Sequence, residues 1–281
     1  MFFDIISYML HDSLAIIAVV YHNYNTLGDF FKSLAGQKNK NFKLFIANLS
    51  ENKKKLAAPG VPLQVIPGEN RGYAHGVNLG LKKAVDEGFY QFCVMNDDTY
   101  FKENFVDNVL NSIANHPSSI TGGKIYYAPG YEYHKNRYRK NEFGRVLWYA
   151  GGEVNWNHAL TPHRGVDEVD KRQYDTPEKT DFVNGCLMAF DKNVLDKTGF
   201  WDEKYFLYFE DADFCERAKR QGIGLYYDPQ IVIWHKNAQS TGGPGSAIHQ
   251  KYQKANRLRF GLKYAPLRTK LHLLKNYLLP L

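Results

Sequence analysis

Acidic residues are missing from the end of this chain. From residue 247 to residue 281 there is no Asp or Glu, while eight Lys or Arg side chains run from Lys251 to Lys275. The whole 281-residue chain has a formal net charge of +7, so the body that precedes this segment is close to neutral. A neutral body offers no charged working face, which argues against a nucleic-acid partner. Cysteine is also scarce. Cys93, Cys186 and Cys215 are scattered without paired spacing, which excludes a disulfide framework and reads as reduced, buried thiols in a cytoplasmic protein. No apolar run approaches the ~20 residues of a membrane-spanning helix. The first twelve residues lack a basic segment and carry Asp4, so they do not read as a signal peptide.

What is present is apolar and aromatic. Hydrophobic residues make up 44% and aromatics 15%, enough for one large domain, or one domain with an appendage. The aromatic surplus fits either a bulky core or stacking on sugars and bases. Residues 14–21 form a continuous β-branched apolar run ending in His22-Asn23-Tyr24-Asn25, the pattern of a strand buried on both faces. A helix with Leu27, Phe30, Phe31 and Leu34 on one stripe follows, then strands near 42–47 and 63–66. Strand, helix, strand with short links predicts an α/β fold with a mostly parallel sheet and helices on both faces. Ligands in such sheets bind beyond the carboxyl ends of the strands.

One stretch organises the rest. Residues 199–217, GFWDEKYFLYFEDADFCER, are aromatic first and acidic second. Glu210, Asp211 and Asp213 stand at the start of an expected helix. They can be caps favoured by the helix dipole, or a general base and its neighbour facing an aromatic pocket. Upstream, Gly72, Gly76 and Gly80 recur every four residues. That is not the dinucleotide order G-x-G-x-x-G. It fits tight helix–sheet packing, or a helix against a nucleotide with Asn70, Arg71 and Asn78 as donors and the helix N-terminus near Gly72 facing a diphosphate.

The strand at 91–95 runs into Asn96-Asp97-Asp98-Thr99. Adjacent carboxylates at a strand end fit a divalent cation on substrate phosphates, or a turn. His235 ends a later strand, at the sheet edge expected for Asp98, and imidazole is a common metal ligand. Residues 128–178, rich in Tyr, Asn, His, Arg and Gly, are too long for a plain connector and suit a polyhydroxyl ligand. The segment 240–246, STGGPGS, reads as a candidate lid. In the basic tail Leu271, Leu273, Leu274, Leu278 and Leu279 alternate with Lys and His, which fits a helix on an anionic membrane or a dimerising helix.

Together, residues 70–80, 96–98, 180–190 and 199–217 with Trp234-His235 resemble the inverting glycosyltransferases of family 2, most nearly their rhamnosyltransferase-like bacterial branch. The resemblance implies a GT-A fold, with a glycosyltransferase domain over 1–246 and a basic helical appendage over 247–281. Within the domain it implies a nucleotide-sugar half near 14–127 and an acceptor half near 128–246. Asp98 would be the last residue of the family's DXD motif and, with His235, a ligand of Mg2+ or Mn2+. Asp97 is the middle residue, and Asn96 stands where many relatives have the first Asp. Asp211 would be the general base, with Glu210 beside it. Tyr21, Asn23, Asn48, Asn70, Arg71, Gly72 and Asn78 would join Asn96 and Asp97 on the donor side. Trp148, Trp201, Asp202 and Glu203 would line the acceptor side. One departure is visible. Relatives commonly have Asp-Asn after the second strand, whereas Ala47 precedes Asn48 here, so the family's base contact is not carried over.

The expected activity is transfer of a sugar from a nucleotide-sugar donor, dTDP-rhamnose or a UDP-sugar, to a hydroxyl of a glycan acceptor. A lipid-linked glycan at the inner face of the cytoplasmic membrane fits the basic tail. Two rivals are a non-catalytic carbohydrate-binding domain of the same fold and a sugar nucleotidyltransferase. The first leaves Asp98, Asp211 and His235 without a task, and the second does not explain residues 199–217.

Overall fold

The computed structural model describes residues 12–237 and 246–278. The candidate lid, apart from Ser246, and Leu279 lie outside the described residues.

Strand β1 (Leu14–Val20) is buried at every position. Side chains alternate between sheet faces, so both faces of β1 are covered. It pairs in parallel with β2 (Phe42–Asn48), which pairs in parallel with β3 (Leu63–Pro67). On its other side β1 pairs in parallel with β4 (Gln91–Met95). Helix α1 (Leu27–Ala35) connects β1 to β2, and α2 (Tyr73–Asp86) connects β3 to β4. The glycine stripe of α2 is a packing device. A Cβ on Gly76 would lie 2.7 Å from Val19 Cγ1, and one on Gly80 would lie 2.6 Å from Ile17 Cγ2. The helix therefore rests on β1 at a distance only hydrogen side chains allow.

Beyond β4 follow β5 (Thr99–Phe101), α3 (Phe105–Asn115), β6 (Ile120–Tyr127), β7 (Leu147–Tyr149), β8 (Glu178–Lys179), β9 (Leu187–Asp191), α4 (Lys192–Thr198), α5 (Glu210–Arg220) and β10 (Leu225–His235). The sheet order is β3-β2-β1-β4-β9-β6-β10-β5, with β7 on β6 and β8 on β10. The expectation of a mostly parallel sheet is corrected to a mixed one: the first four strands are parallel to one another and β6 is parallel to β10. Strand β9 is antiparallel to both β4 and β6, and β5, β7 and β8 also pair antiparallel. The chain between β6 and β9 returns as a long loop without a crossover helix, and a parallel pairing needs such a crossover.

This reversal assembles the site. Met95 at the end of β4 faces Leu187 at the start of β9. His235 at the end of β10 faces Tyr127 of β6 and Thr99 of β5. Residues 96–98, 184–186 and 235 therefore share one sheet edge. Residues 128–178 are tied down beneath it. Buried Lys124 of β6 pairs with Asp170 at 3.1 Å and Asp175 at 2.5 Å.

Two helices close the described chain, α6 (Ala247–Tyr264) and α7 (Leu267–Leu278). Phe260 of α6 and Leu273 of α7 are buried in the same core as the sheet. Of the tail leucines, Leu273 faces inward, while Leu271, Leu274 and Leu278 are exposed together with Leu267. No helix among the described residues is long and apolar enough to cross a membrane.

Candidate active site

A cavity of about 1000 Å3 opens at this sheet edge. Asn96, Asp97, Asp98, His235, Glu210 and Asp211 all line it. Asp97 and Asp98 are buried where β4 ends, and His235 is buried where β10 ends. Asp98 Oδ1 lies 3.0 Å from His235 Nε2. Burial alone would depress the imidazole, but the adjacent Asp98 carboxylate outweighs it and holds His235 well above its ordinary value. Burial, then the charge of Asp98, pushes Asp97 well above the usual carboxylate range. Its Oδ2 atom is buried without a hydrogen-bond partner.

That unsatisfied oxygen, beside an Asp–His pair in an open cavity, fits a hard divalent cation. No three His, Cys, Asp or Glu side chains among the described residues close a protein-only cage. Mg2+ and similar ions are often held by one or two carboxylates, with substrate phosphates completing the shell. Asp98 and His235 are the residues placed to hold such an ion, with Asp97 alongside.

Helix α5 begins after two residues with left-handed backbones, Tyr208 (φ 68°) and Phe209 (φ 70°). Glu210 and Asp211 follow. Asp211 Oδ2 accepts from Gly185 N at 2.8 Å, and its Oδ1 from Ala212 N at 2.8 Å. Burial raises the Asp211 carboxyl above its usual value against the pull of these amides. Burial and the neighbouring Asp211 push Glu210 well above its usual value, and Glu210 Oε2 is buried without a partner. Capping does not account for this pair, since one carboxylate is held by the loop before β9 and the other keeps one oxygen without a partner. Asp213 is different. It is fully buried and bonded to Arg217, Lys263 and Tyr264, so it ties α5 to α6.

The structure sorts the remaining expected residues. Tyr21, Asn70, Gly72 and Trp148 line the cavity. Asn23, Asn48, Arg71, Asn78, Trp201, Asp202 and Glu203 do not. Asn48 is buried and accepts from Tyr24 OH and Ser50 N. Asn78 donates to Trp201 O and Glu203 Oε1 and accepts from Trp201 N, so its amide clips the loop at 201–203 to α2. Glu203 is held by Asn78 and by His75 at 2.8 Å, with Arg71 at 3.6 Å. Trp201 stacks on Phe214 behind Gly185, and Asp202 accepts from Lys204 N. Residues 201–203, expected on the acceptor side, are thus tied to α2 and lie outside the cavity lining. The N-terminus of α2 is also not an open diphosphate cradle, because Tyr73 N donates to Phe206 O.

Several site residues carried no clear sequence signal. Tyr73 OH donates to Asn96 Oδ1 at 3.0 Å or to Gly185 O at 3.1 Å, bridging the metal side to the base side. His163 lines the cavity and sits under Trp148, whose ring contacts both His163 and His235. Burial pushes His163 down to about 4. It is therefore neutral, with Nδ1 donating to Trp148 O and Nε2 accepting from Asn184 Nδ2 at 3.0 Å. Helix α6 supplies His249, Lys251 and Tyr252 to the cavity wall. Asn184 and Gly185 sit directly before the apolar run of β9, a position at a strand mouth that could have marked them.

Residues 15–199 match the profile of Glycosyl transferase family 2. The chain belongs to this family. The match runs from β1 to the end of α4, so Asp211, His235 and α6 lie beyond it. Among curated proteins, the chain is 20% identical over 215 residues to the low-salt glycan biosynthesis hexosyltransferase Agl10 of Haloferax volcanii, covering 76% of this chain and 64% of that protein. It is 23% identical over 261 residues to an N-acetylglucosaminyl-diphospho-decaprenol L-rhamnosyltransferase of Mycobacterium tuberculosis, covering 85% and 82%. Among solved structures, GalNAc-T7 with UDP, GalNAc and Mn2+ superposes with a TM-score of 0.65 at 13% identity. That match covers 89% of this chain and 47% of the other. This likeness establishes the shared GT-A-type fold.

Proposed function

We propose that this family 2 member is a metal-dependent, inverting glycosyltransferase. It moves a hexose, with dTDP-rhamnose or a UDP-sugar favoured as donor, onto a hydroxyl of a glycan acceptor. The observation that carries this reading is the convergence of Asp98 with His235, and of Asp211 with Glu210, in the lining of one cavity at the carboxyl edge of the sheet. The hexosyl- and rhamnosyltransferase names of its curated relatives support the reaction class. The diphospho-decaprenol in one of those names supports a lipid-linked acceptor for surface polysaccharide synthesis.

The chain's residues fit an in-line displacement. Asp211, ionised, takes the proton of the acceptor hydroxyl as its oxygen bonds to the anomeric carbon. The bond from that carbon to the nucleoside diphosphate breaks on the opposite face, so the configuration inverts. The donor side is walled by Tyr21, Asn70 and Asn96, and Trp148 offers an apolar face for a sugar ring. A divalent cation, Mg2+ or Mn2+, held by Asp98 and His235, would neutralise the charge on the leaving diphosphate. The neutral His163–Asn184 pair fixes the Trp148 backbone without placing a further charge in the cavity.

A thermal-shift screen across nucleotide sugars with Mn2+, followed by product analysis with the donor that stabilises most, tests the proposal. Metal-dependent stabilisation and release of nucleoside diphosphate are expected. Consumption of added pyrophosphate, with formation of a nucleoside triphosphate and a sugar 1-phosphate, would instead mark a nucleotidyltransferase.

A further inference from the structure

The turn that delivers Glu210 and Asp211 to the cavity has a strained backbone. Tyr208 and Phe209 are consecutive bulky residues at φ 68° and 70°. Such conformations are unfavourable for bulky side chains and persist only where the surroundings enforce them. No glycine is present to relieve them.

The enforcing group comes from the basic C-terminal helix. Asn256 of α6 is only 3% exposed. Its Nδ2 donates to Leu207 O at 2.8 Å and to Tyr208 O at 3.1 Å. Its Oδ1 lies 3.3 Å from Arg259 Nη1, which donates to it. That third contact fixes the amide's orientation, so both N–H groups face the turn. Arg259 also donates to Lys204 O, at the start of the same loop. Two helical turns further along α6, Lys263 Nζ and Tyr264 OH hold Asp213 Oδ1 at 2.6 Å and 2.8 Å. Helix α6 thus grips the turn at its entry and α5 within its first turn.

We propose that Asn256 is a positioning residue for the reaction. It holds the strained 207–209 backbone, so that Glu210 and Asp211 enter the cavity and Asp211 keeps its bond to Gly185 N. The assignment rests on the glycosyl-transfer reading for its kinetic consequence, but its structural core is independent of it. The charged tail segment thereby belongs to the catalytic apparatus.

Asn256→Asp replaces the donating amide with a group that repels both carbonyls at neutral pH. In the full chain, amide exchange across 207–213 is expected to speed up by roughly tenfold or more, while the β1–β4 amides keep their protection. With the donor found by the thermal-shift screen, kcat is expected to fall by roughly tenfold to a hundredfold, with donor KM within about twofold. Tyr208→Gly provides a second arm, because glycine adopts positive φ without enforcement. In that background Asn256→Ala should cost less than about threefold in kcat, against at least about tenfold in the parent. Unchanged exchange at 207–213 would overturn the proposal, as would equal costs of Asn256→Ala in the two backgrounds. A parent protein inert toward every donor would sink the glycosyl-transfer reading instead, and the exchange comparison would still judge the clamp.

Discussion

Asp98 Oδ1 stands 3.0 Å from Nε2 of His235, and both side chains are buried. The contact exists because β5 turns back directly after Asp98 and pairs with the end of β10, placing Thr99 opposite His235. Two buried ionisable groups at the mouth of a cavity answer each other until a cation arrives. Asp98→Asn should therefore weaken Mn2+-dependent binding of a nucleoside diphosphate by at least about tenfold, while metal-free binding stays the same. Titration calorimetry with and without Mn2+ measures both, and unchanged affinity with Mn2+ would contradict the assignment.

Asp211 lines the same cavity and must be ionised to accept a proton. Burial raises its carboxyl above the usual value, so the acid limb of kcat/KM should lie above the ordinary carboxylate range of about 4. Activity is lost as pH falls through that raised value. Asp211→Asn should lower kcat by about 10²–10⁴-fold with donor binding nearly intact. Turnover retained in this variant would remove Asp211 from the role of base.

Glu210 makes an opposite prediction for stability. Its folded-state value is raised by burial and by Asp211, and Oε2 has no partner. A group raised on folding contributes stability below its unfolded value of about 4.3, and that contribution is lost as pH rises through the folded value. The parent should therefore lose melting temperature between mildly acidic and alkaline pH. Glu210→Gln should flatten this dependence and be the more stable protein at pH 8, with each kcal/mol worth about 2–4 °C. Parallel melting curves across pH would refute this account of the buried pair.

The glycines of α2 are a packing matter, and they can be tested as such. Gly80→Ala would set a methyl 2.6 Å from Ile17 Cγ2, and overpacking of this kind typically costs about 1–3 kcal/mol. Gly28 of α1 has nothing within 4 Å of the same added atom, so Gly28→Ala should stabilise by about 0.4–1 kcal/mol. Urea denaturation of the two variants should move in opposite directions. A neutral Gly80→Ala would show that α2 can lift from β1.

These cases show what a linear reading can reach. Carboxylates that directly follow an apolar strand, Asp97 and Asp98, and those opening a helix after an aromatic run, Glu210 and Asp211, were legible because local pattern decides where they emerge. Asn78, Glu203 and Trp201 lie outside the cavity lining, because polar or aromatic character near a motif does not say which way a side chain turns. Their partners sit more than a hundred residues away, as Asn78 to Trp201 does. The parallel half of the sheet followed from alternating strands and helices, whereas β9 depends on a return path through residues 128–186 that no periodicity encodes. Helix α6 was visible as a basic segment, but its place in the cavity wall comes only from tertiary packing.

The outer face of α7 carries the last prediction. Leu267, Leu271 and Leu278 are 72%, 60% and 71% exposed, and Leu274 joins them in a stripe. Their spacing of four, three and four places them on one helical face. Arg268, Lys270 and Lys275 share the helix, and no acidic residue lies anywhere in 247–281. A second copy would bring the same positive charge to this face. An anionic bilayer would instead answer both features, burying the leucines and attracting each nearby cation by about 1 kcal/mol. The parent should float with vesicles rich in phosphatidylglycerol and stay behind with phosphatidylcholine alone. The triple variant Leu267→Ser, Leu271→Ser, Leu278→Ser should lose flotation on the anionic vesicles. Equal recovery of parent and variant would separate this face from any membrane, and a concentration-dependent dimer abolished by the same substitutions would assign it to a second copy.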